Sequence, residues 1–309
     1  MNRQDILKLI IGLIFIICLF NYLIDINKLL LEATKINLLF LAMAILAYLC
    51  LDIFGAIRFY YSVRWVGYKI SFKESFWTHI YGMLWSNITP GRAGYVSVIH
   101  NLKKKTNLPY SEGLGLVGLV NSTDFLMKAI GAFLALLFVF FYFGKGEIIF
   151  FGALSIIFVT ILPLGFIAIL WKRVSLIEKI INSIPFFGKK LNETIESMRT
   201  PFSRIKNKLP HLMLFAFCFW VIRGIEWTFI GKASNIELPF IIFFLLHPLL
   251  TTIRLVPITP AGLGLFEGAV ILGFSLFGVP PENAILLSFL DRLDNIFVDI
   301  FSLRELKKI

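Results

Sequence analysis

Hydrophobic positions fall in long blocks, and lysines and arginines collect between them. Apolar runs occupy roughly residues 7–23, 37–61, 111–143, 147–171, 211–230 and 283–303. At 17 to 33 residues, they are long enough for a helix to cross a bilayer. Four shorter stretches, 75–85, 93–100, 239–255 and 265–277, are too short to span and come in two pairs. Each pair is split by proline and glycine. Asp52, Arg58, Asp124, Lys128, Arg223, Glu226 and Asp291 lie inside the apolar blocks. Arg3 and Lys8 precede the first run, but no small-residue cleavage site follows it, so a retained first helix is expected.

The two splits are related. Ile88-Thr89-Pro90-Gly91-Arg92-Ala93-Gly94 returns as Ile258-Thr259-Pro260-Ala261-Gly262-Leu263-Gly264, an offset of 170 residues. The same offset carries Glu112 onto Glu282 and Asp124 onto Asp294 without a gap. A duplicated membrane unit with a broken helix in each half is the simplest source of that pattern, and such units build polar sites at the repeat interface. The expectation is an all-α polytopic membrane bundle, one domain over 1–309. Repeat one covers about 37–143, a basic linker 172–208, and repeat two about 210–303.

Charge supplies the topology. If each short pair dips in and returns, crossings centre near residues 15, 50, 127, 160, 220 and 293, and three lie between the starts of the repeats. An odd number inverts the second copy. Placing 172–208 in the cytoplasm also places Arg64, Lys69, Lys73 and Lys103–Lys105 there, with both termini. Only Lys28, Lys35, Lys145 and Lys232 remain outside. The first break then enters from the cytoplasm and the second from outside. Within the linker, Ile177, Ile180, Ile181 and Ile184 recur at helical spacing beside basic residues, as in a helix lying on an anionic leaflet; a solvated linker is the alternative.

Composition agrees with a membrane location. The chain is 58% hydrophobic and 16% aromatic with 33 phenylalanines, and its mean hydropathy is +0.83. The net charge of +11 would suggest nucleic acid in a soluble protein. Here the basic residues flank apolar runs, and no RNA-binding motif is present. Cys18, Cys50 and Cys218 sit in apolar runs without ligand spacing, and the four histidines share none either, so no metal or cofactor is expected.

The breaks suggest binding chemistry. A residue before proline is pushed out of the helical region, so Thr89 and Thr259 end the first half-helices. Gly91, Gly94, Gly262 and Gly264 permit unusual backbone angles or close approach. The half-helix after each break presents N-terminal amides that favour an anion. Arg92 lies at one break and Arg254 just before the other. The expected ligand is a phosphate-bearing lipid headgroup held by Thr89, Pro90, Gly91, Arg92, Gly94, Arg254, Thr259, Pro260, Gly262, Gly264 and Glu267. The alternative is that the glycines only let helices pack closely.

A polar pathway is expected from Asp124, Arg223, Glu226, Asp291, Arg292 and Asp294, because such groups are costly in hydrocarbon and face a bundle interior or water. Arg223 and Glu226 at i,i+3, and Asp124 and Lys128 at i,i+4, are spaced to pair. Asp291, Asn295 and Asp299 form a stripe with Asp294 beside it. Internal ion pairs that fix helix register are the alternative reading.

Thr89-Pro90-Gly91-Arg92-Ala93-Gly94, and Pro257 to Gly268 with Thr259-Pro260-Ala261-Gly262-Leu263-Gly264 and Glu267, resemble the two motifs of the lysylphosphatidylglycerol synthase transmembrane region. Gly278-Val279-Pro280-Pro281-Glu282 and Asp291-Arg292 match it as well. Asn121-Ser122 stands where that family often has an acidic-Arg pair, and Ala261 where glycine is common. The resemblance implies a flippase-like cell-membrane protein that moves anionic lipids or lipid-linked molecules between leaflets. A non-transporting partner that presents a lipid-linked substrate to a separate glycosyl- or aminoacyl-transferase is the alternative. No nucleophile–base pair is recognisable and no transferase domain follows Ile309, so an enzyme is not expected.

Overall fold

The structure, a computed structural model, describes residues 3–144, 146–171, 188–256 and 258–308. Among these the chain is helical, without strands. The α-helices are α1 Arg3–Leu23, α2 Ile26–Thr34, α3 Leu38–Trp65, α4 Phe72–Ile88, α5 Val98–Thr106 and α6 Tyr110–Phe143. They continue as α7 Gly146–Trp171, α8 Gly188–Ile205, α9 Leu209–Ala233, α10 Phe240–Thr251, α11 Leu265–Ser275 and α12 Pro281–Asp299. Short 3-10 segments occupy Pro90–Ser97, Thr252–Leu255 and Pro260–Gly262, and another follows α12.

The 170-residue offset holds at the level of helices. Shifted by it, the bounds of α3 fall within two residues of those of α9. The start of α5 falls three residues from that of α11, and the start of α6 one residue from that of α12. Local chemistry explains the shared break. Thr89 before Pro90 is extended (φ −100°, ψ 148°), and so is Thr259 before Pro260 (φ −124°, ψ 156°). Two successive left-handed residues then follow in each copy, Gly91 and Arg92 in one and Ala261 and Gly262 in the other. Two of these four carry a Cβ that the left-handed region disfavours, so the surrounding contacts must hold them there.

Three helical stretches with described side chains are long and apolar enough to cross a bilayer: Leu38–Trp65, Tyr110–Phe143 and Gly188–Ala233. A fourth is the pair of 10–23 and 26–34, if that bent segment, turning by 95°, is one span. Six crossings were expected from the apolar blocks. α12, the expected last crossing, does not pass on apolarity, and the reason is chemical. Asp291, Asp294, Asn295 and Asp299 face inward and are buried, while Leu293 (61% exposed) and Phe297 (56% exposed) face outward. The helix is polar inside and apolar outside, the arrangement a lipid environment favours.

Two apolar cores form, and each draws residues from both halves. One packs Phe59, Val63, Leu102, Leu116, Phe202 and Leu212, and the other Trp227, Phe243, Phe266, Phe274, Ile285 and Leu287. A smaller cluster of Tyr48, Leu51 and Val298 joins α3 to α12. α3 packs along α9, α4 against α12, and the segment Pro90–Ser97 against Thr252–Leu255 and Pro260–Gly262. The two breaks therefore meet. α8, the described end of the basic linker, is no solvated strand of chain. It packs on α6, where a Cβ on Gly115 would stand 2.4 Å from the Met198 carbonyl oxygen. The isoleucine pattern at 177–184 lies outside the described residues.

Candidate functional site

Each break is braced by its own side chains. At the first, Thr89 Oγ1 donates to the Trp85 carbonyl (2.8 Å) and accepts from the Gly94 amide (2.7 Å). Gly94 is obligatory there, since a Cβ would stand 2.3 Å from the Trp85 carbonyl oxygen. At the second, the Glu267 carboxylate accepts from the Gly264 amide (2.7 Å) and from Arg292 Nε (2.6 Å), and Arg292 Nη1 donates to the Ala261 carbonyl (3.2 Å). The expected anion-binding amides are thus already engaged at Gly94 and Gly264. Glu267, fully buried, is a cap and an ion-pair partner in this structure rather than a ligand-facing group. Thr259 is buried, and its hydroxyl has no hydrogen-bond partner among the described residues.

The cavity lies between the halves, on the side chains around the breaks. Its volume is about 150 Å³, room for on the order of ten water-sized groups. Arg58, Arg92, Lys128, Arg223 and Arg254 line it, against only two carboxylates, Asp124 and Asp291. Phe125, Phe219, Trp220, Met83 and Met127 supply apolar wall, and Asn121, Ser86 and Tyr95 neutral polar wall. Of the residues expected to form the site, Arg92, Arg254, Asp124, Arg223 and Asp291 reach this cavity. Thr89, Pro90, Gly91, Gly94, Thr259, Pro260, Gly262, Gly264, Glu267, Glu226, Arg292 and Asp294 do not line it. A smaller space of about 20 Å³ beside it touches Arg92, Arg254, Ala261 and Arg292.

Pairing decides which charges the wall presents. Arg58 forms a two-pronged bond to Asp124, its Nη2 2.9 Å from Oδ2. The expected Asp124–Lys128 pair is absent. The arginine offers a planar fork that meets both carboxylate oxygens, which a lysine on the next turn cannot match. Arg223 Nη1 reaches both oxygens of Glu226, at 2.7 and 2.8 Å, as its spacing suggested. Arg254 bonds to Asp291, which also accepts from Trp227 Nε1 at 2.7 Å. Arg92 donates only to neutral groups, Ser86 Oγ (3.0 Å) and Asn87 Oδ1 (2.8 Å). Lys128 makes no hydrogen bond or ion pair to a described residue, and its head is left for the cavity. Helical spacing offers Lys128 as a partner for Asp124 and does not bring Arg58 into the site. An arginine inside an apolar run, Arg58, is the signal the sequence does carry.

Carboxylate oxygens of Glu226, Asp291 and Asp294 lie within 4.8 Å of one another, a spacing a metal ion tolerates. Guanidinium and indole donors already occupy Glu226 and Asp291. Only Asp294 has unpartnered oxygens, so the donor set does not suit a divalent cation, which needs several free oxygens. Behind the cavity Asp299 accepts from Tyr48 Oη (2.9 Å) and Asn87 Nδ2 (2.8 Å), and in its wall buried His79 shares a hydrogen bond with Tyr95 Oη (2.9 Å).

Residues 6–301 match the family model described as the lysylphosphatidylglycerol synthase TM region. The chain belongs to that family. Among relatives of this transmembrane-region family are two UPF0104 membrane proteins of Methanocaldococcus jannaschii. One is 31% identical, covering 70% of this chain and 89% of the relative; the other is 26% identical, covering 94% and 90%. A UPF0104 membrane protein of Pyrococcus horikoshii is 23% identical over 85% of each chain. No solved structure matches. Family membership and the apolar helices together make this an integral membrane protein.

Proposed function

We propose that this protein carries anionic, phosphate-bearing lipids or lipid-linked molecules between the leaflets of the cell membrane. One observation carries the reading: five cationic side chains against two carboxylates around a cavity where the breaks of the two halves meet. Unpaired charge buried away from water is costly unless something compensates it. A protein that keeps such charge in a membrane has a use for an anion there. In this reading the paired half-helices are re-entrant, the halves are inverted repeats, both termini face the cytoplasm, and exchange between two arrangements exposes the cavity to each leaflet in turn.

The test is loss of leaflet asymmetry in liposomes carrying a labelled anionic lipid. Arg92→Gln is the clean variant, because Arg92 has only neutral partners and its loss strands no carboxylate. Arg254→Gln is made together with Asp291→Asn for the same reason. Both should abolish translocation without loss of folded protein. Wild-type translocation in both would overturn the reading. Headgroup binding without movement would assign the chain to the presentation of a lipid-linked substrate to a separate transferase.

A further inference from the structure

The cavity's charges can be assigned one by one, and the assignment narrows the ligand. Arg58 is answered by Asp124, Arg254 by Asp291, and Arg223 by Glu226 behind the wall. Two cations of the wall, Arg92 and Lys128, have no carboxylate partner in contact among the described residues. Both wall carboxylates are already taken by arginines, so none is free to receive a cation.

The internal repeat explains the imbalance. The 170-residue register places Asn121-Ser122 opposite Asp291-Arg292. In the second half the carboxylate at this position neutralises Arg254. In the first half a neutral amide stands there, and Asn121 lines the cavity. Asn121 and Lys128 are seven residues apart on α6, two turns on one face. The missing carboxylate is therefore on the same face as the unanswered lysine.

We propose that the ligand is a dianionic phosphomonoester headgroup, and that headgroups bearing an ammonium, aminoacylated ones included, are rejected. The proposal rests on the cavity being the lipid-phosphate site. A phosphomonoester carries about −1.5 to −2 near neutral pH, which answers Arg92 and Lys128 together. A phosphodiester, with a single charge, leaves one of them uncompensated. An ammonium group entering the same space meets two further cations and no free carboxylate in the wall, a repulsive arrangement that excludes wrong ligands as effectively as contacts select right ones. Met83, Met127, Phe125, Phe219 and Trp220 give the atoms next to the phosphate an apolar wall. That favours a lipid-attached phosphate over free inorganic phosphate.

The experiment measures binding to the purified full chain in neutral phosphatidylcholine nanodiscs, by ligand-induced thermal stabilisation. The probes are short-chain phosphatidic acid, phosphatidylglycerol, lysyl-phosphatidylglycerol and inorganic phosphate. Phosphatidic acid should bind at least tenfold tighter than phosphatidylglycerol and than inorganic phosphate, and lysyl-phosphatidylglycerol should not stabilise. Asn121→Asp and Lys128→Gln should each lower phosphatidic acid affinity at least tenfold and erase its advantage over phosphatidylglycerol. Asn121→Ala should keep both. Lys128→Gln introduces no buried charge and so carries the test if Asn121→Asp misfolds.

Equal affinity for monoester and diester would overturn the proposal while leaving the lipid-phosphate reading standing, as would binding of the lysylated lipid. Inorganic phosphate binding as tightly as phosphatidic acid would overturn the lipid attachment. No stabilisation by any of these anions would remove the reading of the cavity itself.

Discussion

Replacing Glu267 separates holding the second break from holding a ligand. Its carboxylate is fully buried and serves two donors, the Gly264 amide and Arg292 Nε. Removing one member of a buried pair typically costs about 3–5 kcal/mol. The Arg292 side chain retains 17% exposure, so its stranded charge is partly hydrated and the cost for Glu267→Gln is nearer 2 kcal/mol. Glutamine still offers an oxygen to the Gly264 amide. Glu267→Ala does not, and an orphaned buried amide adds about 1–3 kcal/mol, which brings the alanine variant to roughly 4 kcal/mol. Adding Arg292→Met to Glu267→Gln removes the stranded charge and should recover about half the loss, because a buried pair replaced as a unit is often close to neutral. SDS unfolding in mixed micelles reads all three. If Glu267→Gln is as stable as wild type yet loses binding of phosphate lipids, the carboxylate serves the ligand and this account of the break is wrong.

Three further outcomes follow from the geometry. Asp124→Asn should destabilise by about 3 kcal/mol, since Arg58 is left buried without a partner, whereas Lys128→Met should cost nothing; equal losses in the same unfolding assay would restore a Asp124–Lys128 pair. Gly94→Ala should cost about 2–3 kcal/mol by driving a Cβ into the Trp85 carbonyl, with a matching drop in Tm; an unchanged Tm would mean the first break yields freely. In a cysteine-free background, Pro109→Cys and Pro280→Cys, at the N-caps of α6 and α12, should react with an impermeant thiol reagent from opposite sides of the membrane; labelling from one side would refute inversion.

The backbone of the breaks was legible because it is local chemistry. Pre-proline sterics at Thr89 and Thr259 act over two residues, and the structure shows both threonines extended. The inward stripe of Asp291, Asn295 and Asp299 followed from helix geometry for the same reason. Partner choice did not. Arg58 and Asp124 are 66 residues apart, and Arg254 and Asp291 37. Spacing along one helix proposes only near neighbours, so it offered Lys128 to Asp124 and could not see the competing arginine on α3. The amides after each break are another case. A helix N-terminus attracts any acceptor, and Thr89 and Glu267 reach it from within the chain.

The two breaks share a local backbone conformation but not a setting. Among the described residues α1 leans on the second break: a Cβ on Gly264 would stand 2.5 Å from Phe15 Cβ and 2.9 Å from the Gly12 carbonyl oxygen. If inversion makes the two halves swap roles when the cavity changes sides, this one-sided buttress makes the exchange unequal. Opening at the second break must first peel α1 away, and opening at the first carries no such cost. The resting population is then tilted toward the arrangement that leaves α1 seated. Loosening that seat, as in Phe15→Ala, is a way to shift the balance between leaflets without touching a single charged residue.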